Sequence, residues 1–300
     1  MTSKQHKFEY FLTRLLGTFA KFLPLKTAHL TGNILGDLFF YVIKSRKRVA
    51  FRNLRMVFGD TKSDKSLKKI LRGHYRHFGC VLMEFARIPG LTKESIEKEI
   101  PIHHQEILNE ALSAGKGCIV ITGHFGNWEY LAAGLTNSGY GLSCIYREQK
   151  NVAVDNVIQE YRKKVGLELL KVRGGAAKGM VRAIRKKKSI LSVMDQDAGR
   201  KGVFVDFLGH PASANRGTAT LALKYKVPVV VAFGVRKKDR RIHIEMQKFR
   251  DIQSFSNDEE GIIEFIKEYN RILETYIRRY PEQWFWLHRR WKTQPSGSLE

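Results

Sequence analysis

From Phe8 onward, apolar residues fall at Phe8, Phe11, Leu12, Leu15, Leu16, Phe19, Phe22 and Leu23, with Glu9, Thr13, Arg14, Thr18 and Lys21 between them. This 3.6-residue period predicts an amphipathic helix. Pro24 ends it, since proline has no amide hydrogen to continue the ladder. A second, more apolar helix is expected over 26–43, closed by the basic run Lys44, Arg46, Lys47 and Arg48. The helical period continues over 65–85, with Tyr75, Phe78, Val81, Leu82 and Phe85 on one side, and over 93–99 and 104–114. Then the period changes. Short β-branched runs at 117–122, 142–146, 169–172, 189–194 and 228–234 alternate with helical stretches at 127–138, 151–165, 176–187 and 215–225. Such alternation predicts an α/β fold with a mostly parallel central sheet flanked by helices, behind a helical, membrane-associating N-terminal segment. Residues 241–249 alternate apolar and polar, which suits an antiparallel strand beside 229–235.

Of the 300 residues, 43% are apolar, enough to bury a substantial core. The expected division is a basic amphipathic helical hairpin over 1–60 and an α/β domain over 61–300. Lys and Arg number 53 against 29 Asp and Glu, a formal charge of +24 that calls for a polyanionic partner. Nucleic acid, an anionic membrane and an acidic carrier protein all meet that demand. The first 60 residues hold eleven Lys and Arg against three acids. Their apolar aromatic faces beside cations suit either the headgroup layer of anionic lipid or a hairpin packed on the domain. No stretch reaches the roughly 18–20 apolar residues of a spanning helix; the segment 27–43 is shorter and carries Asp37. No small-residue cleavage site follows the first helix, so the expected location is peripheral or shallowly anchored, on the cytoplasmic face of a membrane. Cys80, Cys118 and Cys144 have neither C-x-x-C spacing nor a His/Cys cluster, so neither a disulfide framework nor a metal site is expected.

Candidate chemistry concentrates in Thr122-Gly-His-Phe-Gly-Asn-Trp-Glu129. A buried strand ends at Thr122, Gly123 and Gly126 permit a tight turn, and a helix starts near Asn127. Ligands of open α/β sheets bind at such carboxyl ends. The His124 to Glu129 spacing could return the carboxylate to the imidazole, fixing its tautomer for removal of a hydroxyl proton. The same residues could instead serve as a helix cap and a first-turn acid.

The block GHFGNWE resembles the His-x4-Asp/Glu motif of glycerolipid-type acyltransferases and, in this form, that of the lipid A biosynthesis acyltransferases, the late lauroyl and myristoyl transferases. Other blocks are similar in order: Arg48 with Asn53, Leu54 and Phe58; Tyr146-Arg147 with Asn151; Asp195 and Asp197 with Gly209, Pro211, Ala212 and Gly217; and the C-terminal Pro281-Glu-Gln-Trp-Phe-Trp-Leu-His-Arg-Arg-Trp-Lys292. Together they cover about residues 8 to 295. The sequence departs from the family's pattern at Ala214, Asn215 and Arg216, where small hydroxyl residues are usual.

The resemblance implies an acyltransferase that moves a fatty acyl chain from acyl carrier protein or coenzyme A to a hydroxyl of a bacterial glycolipid such as a lipid A precursor. It makes His124 the general base and Glu129 its partner. Arg147 becomes a candidate for the oxyanion or a phosphate, Asp195, Asp197 and Asn127 candidates for substrate binding, and Phe125 and Trp128 candidates for an acyl groove. No cofactor is expected, the thioester being a co-substrate; the partners expected are the donor, an anionic glycolipid and a membrane surface. Acceptors such as glycerol phosphate, an aminolipid or a mannosylated lipid fit the same motif. Trp284, Trp286 and Trp291 among His288, Arg289, Arg290 and Lys292 leave open a membrane-interface role, core packing, or, in a different class of function, nucleobase stacking. Arg173-Gly-Gly-Ala-Ala-Lys178 suggests a phosphate-holding turn but lacks P-loop spacing.

Overall fold

The computed structural model describes residues 3–146, 148–171 and 176–295. The chain opens with α1 (Ser3–Ala20), α2 (Leu25–Val42), α3 (Lys44–Phe58), α4 (Asp64–Arg87) and α5 (Lys93–Glu99). Strands and helices then alternate: β1 (Ile102–His103), α6 (Gln105–Ser113), β2 (Cys118–Thr122), α7 (Trp128–Asn137), β3 (Leu142–Tyr146), α8 (Val152–Lys164), β4 (Glu168–Lys171), α9 (Ala176–Arg185) and β5 (Ser189–Val193). A hairpin of β6 (Val203–Phe207) and β7 (His210–Ala214) precedes α10 (Gly217–Tyr225), β8 (Val229–Arg236), β9 (Ile242–Lys248) and α11 (Glu259–Arg279).

Among the described residues the main sheet has the order β1-β9-β8-β2-β5-β3-β4. Strands β8, β2, β5, β3 and β4 run parallel, and β9 turns back antiparallel to β8, as the alternation in 241–249 led one to expect. Side chains alternate across a strand, and β2 shows the result directly. Ile119 and Ile121 join one core with α3, α4, α9, α10 and α11, whereas Cys118 and Val120 join another with α5, α6, α7 and α8. Both faces are therefore covered, as a parallel sheet requires. The three cysteines are buried free thiols, and burial pushes Cys118 and Cys144 up to about 12.

The N-terminal segment differs from the expected hairpin by a third helix, α3. Ala50, Leu54 and Phe58 recur every four residues and bury one side of the basic run, leaving Lys44, Arg46 and Arg48 exposed. Helix α2 crosses α4 at backbone contact distance: a Cβ on Gly32 would strike the backbone of Cys80, and one on Gly79 the Gly32 carbonyl. Asp37 of α2 is held by Arg72 and Arg76 of α4 (2.8 and 2.6 Å). No helix among the described residues is long and apolar enough to cross a membrane. Phe8, Phe11, Phe19 and Phe22, with Leu30, Ile34, Leu38 and Tyr41, nevertheless remain more than half exposed.

Candidate active site

Parallel pairing assembles the site. Thr122 of β2 lies opposite Val193 of β5, and the ladder continues one step past the strands through the Met194 N–H to the Thr122 carbonyl (3.0 Å). Two residues beyond each paired position stand His124 and Asp195, at the carboxyl ends of adjacent strands. Asp195 Oδ1 accepts from His124 Nδ1 at 2.7 Å, and its Oδ2 accepts the His124 backbone N–H and the Trp284 indole N–H, both at 2.8 Å. Burial opposes ionisation of Asp195, but the facing imidazole and these donors hold its carboxyl below the usual range. With the Nδ1 proton given to Asp195, the outer Nε2 carries the lone pair. It faces Gln196 Nε2 at 3.2 Å. Trp128 and Phe285 flank the ring, with centroids 5.0 and 6.2 Å away.

The expected contact between His124 and Glu129 is not made. Gly126 adopts φ +58° beneath the Gly234 carbonyl, where a Cβ would collide, and Asn127 then caps α7 by accepting from the Glu129 and Tyr130 amides (3.0 and 2.9 Å). That geometry turns Glu129 toward α8. There Arg162 grips it twice (Nε 3.0 Å, Nη2 2.5 Å), and the Trp128 indole adds a third bond at 3.1 Å. Burial works against the Arg162 charge, but Glu129 raises its affinity for the proton above the ordinary value. Arg162 was not among the expected site residues; its one sequence signal is a cation on the stripe of Ile158 and Tyr161.

Asn127 is also corrected. It is fully buried and both ends of its amide are used, the second on Glu84 Oε2 at 2.7 Å, so it shapes the turn rather than meeting substrate. Glu84 further accepts two 2.7 Å bonds from Arg236 and one from His29 of α2. Although burial raises it, Arg236 brings Glu84 down to about 2. Arg236 Nε donates to His77, whose Nε2 donates to the Gly126 carbonyl (3.3 and 3.1 Å).

Phe125 lies in the core against Phe233 and Tyr276, not in a groove. Trp128 does line a cavity, of about 370 Å³, walled by Phe39, Ile43, Tyr75, Phe78, Leu82, Phe85, Phe285 and Leu287, with Glu129 and Arg162 as its polar edge. That volume lies within the roughly 300–1,000 Å³ range of ligand pockets. Asp197 faces the protein rather than the open site: it accepts from the Gly199 amide and Thr293 (both 3.1 Å), and its N–H donates to His288. Arg147 and residues 172–175 of the suggested phosphate turn lie outside the described residues.

The C-terminal signature is a clamp. Phe285 N–H binds the His124 carbonyl (3.0 Å), and the Gly126 N–H binds the Gln283 carbonyl (2.9 Å). Asn53 of α3 secures this segment through the Trp286 and His288 carbonyls (3.0 and 2.9 Å). Trp284, Trp286 and Trp291 are buried, so these rings pack the core and offer no face to a nucleobase or a membrane.

A family model described as bacterial lipid A biosynthesis acyltransferase matches residues 2–293. A lipid A biosynthesis palmitoleoyltransferase of Escherichia coli (strain K12) is 25% identical over 280 residues, covering 92% of this chain and 88% of its own length. The lipid A biosynthesis lauroyltransferase of that strain is 26% identical over 279 residues, with coverage of 92% and 88%. A phosphatidylinositol mannoside acyltransferase of Mycolicibacterium smegmatis is 23% identical over 243 residues, 80% of this chain and 78% of its own.

Proposed function

This chain belongs to the bacterial lipid A biosynthesis acyltransferase family, and on that footing we propose that it carries a fatty acyl group from an acyl thioester to a hydroxyl of a lipid A precursor. The observation that supports the chemistry is the His124–Asp195 pair, which leaves Nε2 as a proton acceptor at the mouth of a parallel sheet. His124 takes the acceptor proton as the hydroxyl oxygen attacks the thioester carbonyl. The tetrahedral oxyanion collapses, the carbon–sulfur bond breaks, and the imidazolium returns the proton to the departing thiolate. Asp195 holds the tautomer and balances the charge that the ring gains. For the oxyanion the candidate remains Arg147, a guanidinium in the family's second block. The thioester arrives activated, so the step as written draws on no further cofactor.

The apolar cavity beside Trp128 is the proposed acyl site. Glu129, joined to Arg162 along its edge, is a positioning residue rather than the partner of the base. The exposed apolar rows of α1 and α2, bordered by Lys4, Lys7, Lys21, Lys26 and Lys44, suit an anionic lipid surface, where we place the enzyme as a peripheral protein on the cytoplasmic leaflet. Acyl carrier protein, being acidic, is the donor that the +24 charge favours over coenzyme A.

The test uses full-length protein in mixed micelles, with lauroyl thioesters of carrier protein and of coenzyme A offered alongside a phosphorylated tetraacyl disaccharide or a mannosylated phosphoinositide. Acylated lipid is measured by mass spectrometry. The expected result is transfer to the disaccharide, from the carrier-protein thioester in preference, and a loss of about 10²-fold or more in His124→Ala. Transfer only to the mannosylated lipid would move the acceptor assignment toward the mannoside acyltransferases while keeping the chemistry.

A further inference from the structure

Both nitrogens of the His124 ring are held by consecutive residues of one loop. Asp195 takes the Nδ1 proton, and Gln196 points its amide at Nε2 from 3.2 Å. Since Nε2 carries the lone pair, the Gln196 amide is the donor. The residues on either side are held, Asp195 by three hydrogen bonds to its carboxylate and Asp197 by those that tie it to Gly199, Thr293 and His288. The Gln196 side chain itself is exposed and has room to rotate away.

Resting on the reaction assigned above to His124, we propose that Gln196 is a specificity residue that caps the base in the empty site and disfavours water as the acyl acceptor. In the reaction it opposes, His124 Nε2 takes a proton from water as the water oxygen bonds to the thioester carbonyl carbon. The carbon–sulfur bond then breaks and the proton passes to the thiolate, leaving a fatty acid and a free thiol. A lone pair already accepting an N–H is closed to that water. An acceptor hydroxyl presented by a bound lipid displaces the amide, because the rest of the lipid contributes binding energy that a lone water lacks. Gln196 then rotates outward while Asp195 stays in place.

The experiment measures thiol release without acceptor and acylated lipid with it, using lauroyl–carrier protein and the phosphorylated disaccharide in mixed micelles. Wild type, Gln196→Ala, Gln196→Glu and His124→Ala are compared. Gln196→Ala is expected to raise the ratio of hydrolysis to transfer about three- to tenfold, the worth of one neutral hydrogen bond. Gln196→Glu is expected to move the acid limb of kcat/KM for transfer to higher pH, because a carboxylate at Nε2 of the empty site favours the imidazolium. An unchanged ratio in Gln196→Ala, or an unmoved acid limb in Gln196→Glu, overturns the role of Gln196 when His124→Ala has lost both reactions. Hydrolysis and transfer that both survive His124→Ala overturn the assignment of the base, and this inference with it.

Discussion

The turn between β2 and α7 is gripped at each end by a buried carboxylate, Asp195 on His124 and Glu84 on Asn127. Glu84 faces Arg236, a cation whose charge does not change at any pH the fold survives. Asp195 faces an imidazole that gains and loses a proton in each proposed cycle, and whose outer edge reaches solvent. One carboxylate thus belongs to a permanent ionic scaffold and the other to a proton-handling pair. Only Phe125 and Gly126 separate the two gripped residues, His124 and Asn127, and the scaffold keeps that backbone still while charge moves at its far end.

Substitution should separate the two roles. The largest effect is expected for Asp195→Asn, which removes the acceptor that fixes the His124 tautomer: transfer should fall by roughly 10²–10⁴-fold, with a near-unchanged melting curve. Glu84→Gln should do the converse. It leaves Arg236 buried without its counter-charge, a loss of roughly 3–5 kcal/mol in urea unfolding, while transfer per folded molecule falls less than in Asp195→Asn. Equal losses of activity in these two variants would erase the distinction.

Acid should also attack the scaffold side. Burial pushes His74 and His77 down to about 3 from an ordinary 6.5, with Arg236 adding to the effect on His77. The unfolded chain takes up these protons first, so this stability is complete above pH 6.5 and is lost as pH falls toward 3. The slope is up to about 1.4 kcal/mol per pH unit for each histidine. The urea midpoint should therefore drop between pH 7 and pH 5, and His74→Phe should flatten the drop. The smallest effect is expected for Glu129→Gln, which weakens the grip on Arg162 at the cavity edge: the donor KM should rise roughly tenfold, with the pH profile of transfer unmoved. A shifted profile would return Glu129 to the imidazole.

Much of the fold was legible because the central strands β2, β3 and β5 are largely apolar runs between polar or glycine residues, as at Leu142–Tyr146. Helix α3 was hidden by charge: its apolar residues recur every four positions inside a Lys/Arg run, and the run reads as an end rather than a beginning. Helix α11 has a clear period through Phe265, Tyr269, Leu273 and Tyr276 that the strand-and-helix reading left unassigned, as it did the β6–β7 hairpin. In the site, His124 stood out from its turn. Its partner did not, since Asp195 reaches it through strand register across 71 residues, a relation that local spacing cannot display. Glu129 misled for the opposite reason. Its separation from His124 spans a left-handed glycine and a helix cap, which together reverse the direction in which the side chain points.

The wall of the cavity has a further consequence. Phe39 of α2 and Ile43 just past its end line it, and on that same stretch Leu38, Tyr41 and Val42 stand exposed on the side assigned to the lipid surface. A layer of apolar side chains thus joins the cavity wall to the exterior there. A newly attached tail, now part of a lipid already rooted in the bilayer, could slide past that layer without meeting water. Departure of product then resembles lateral diffusion more than dissolution, and its rate would follow the fluidity of the surrounding lipid.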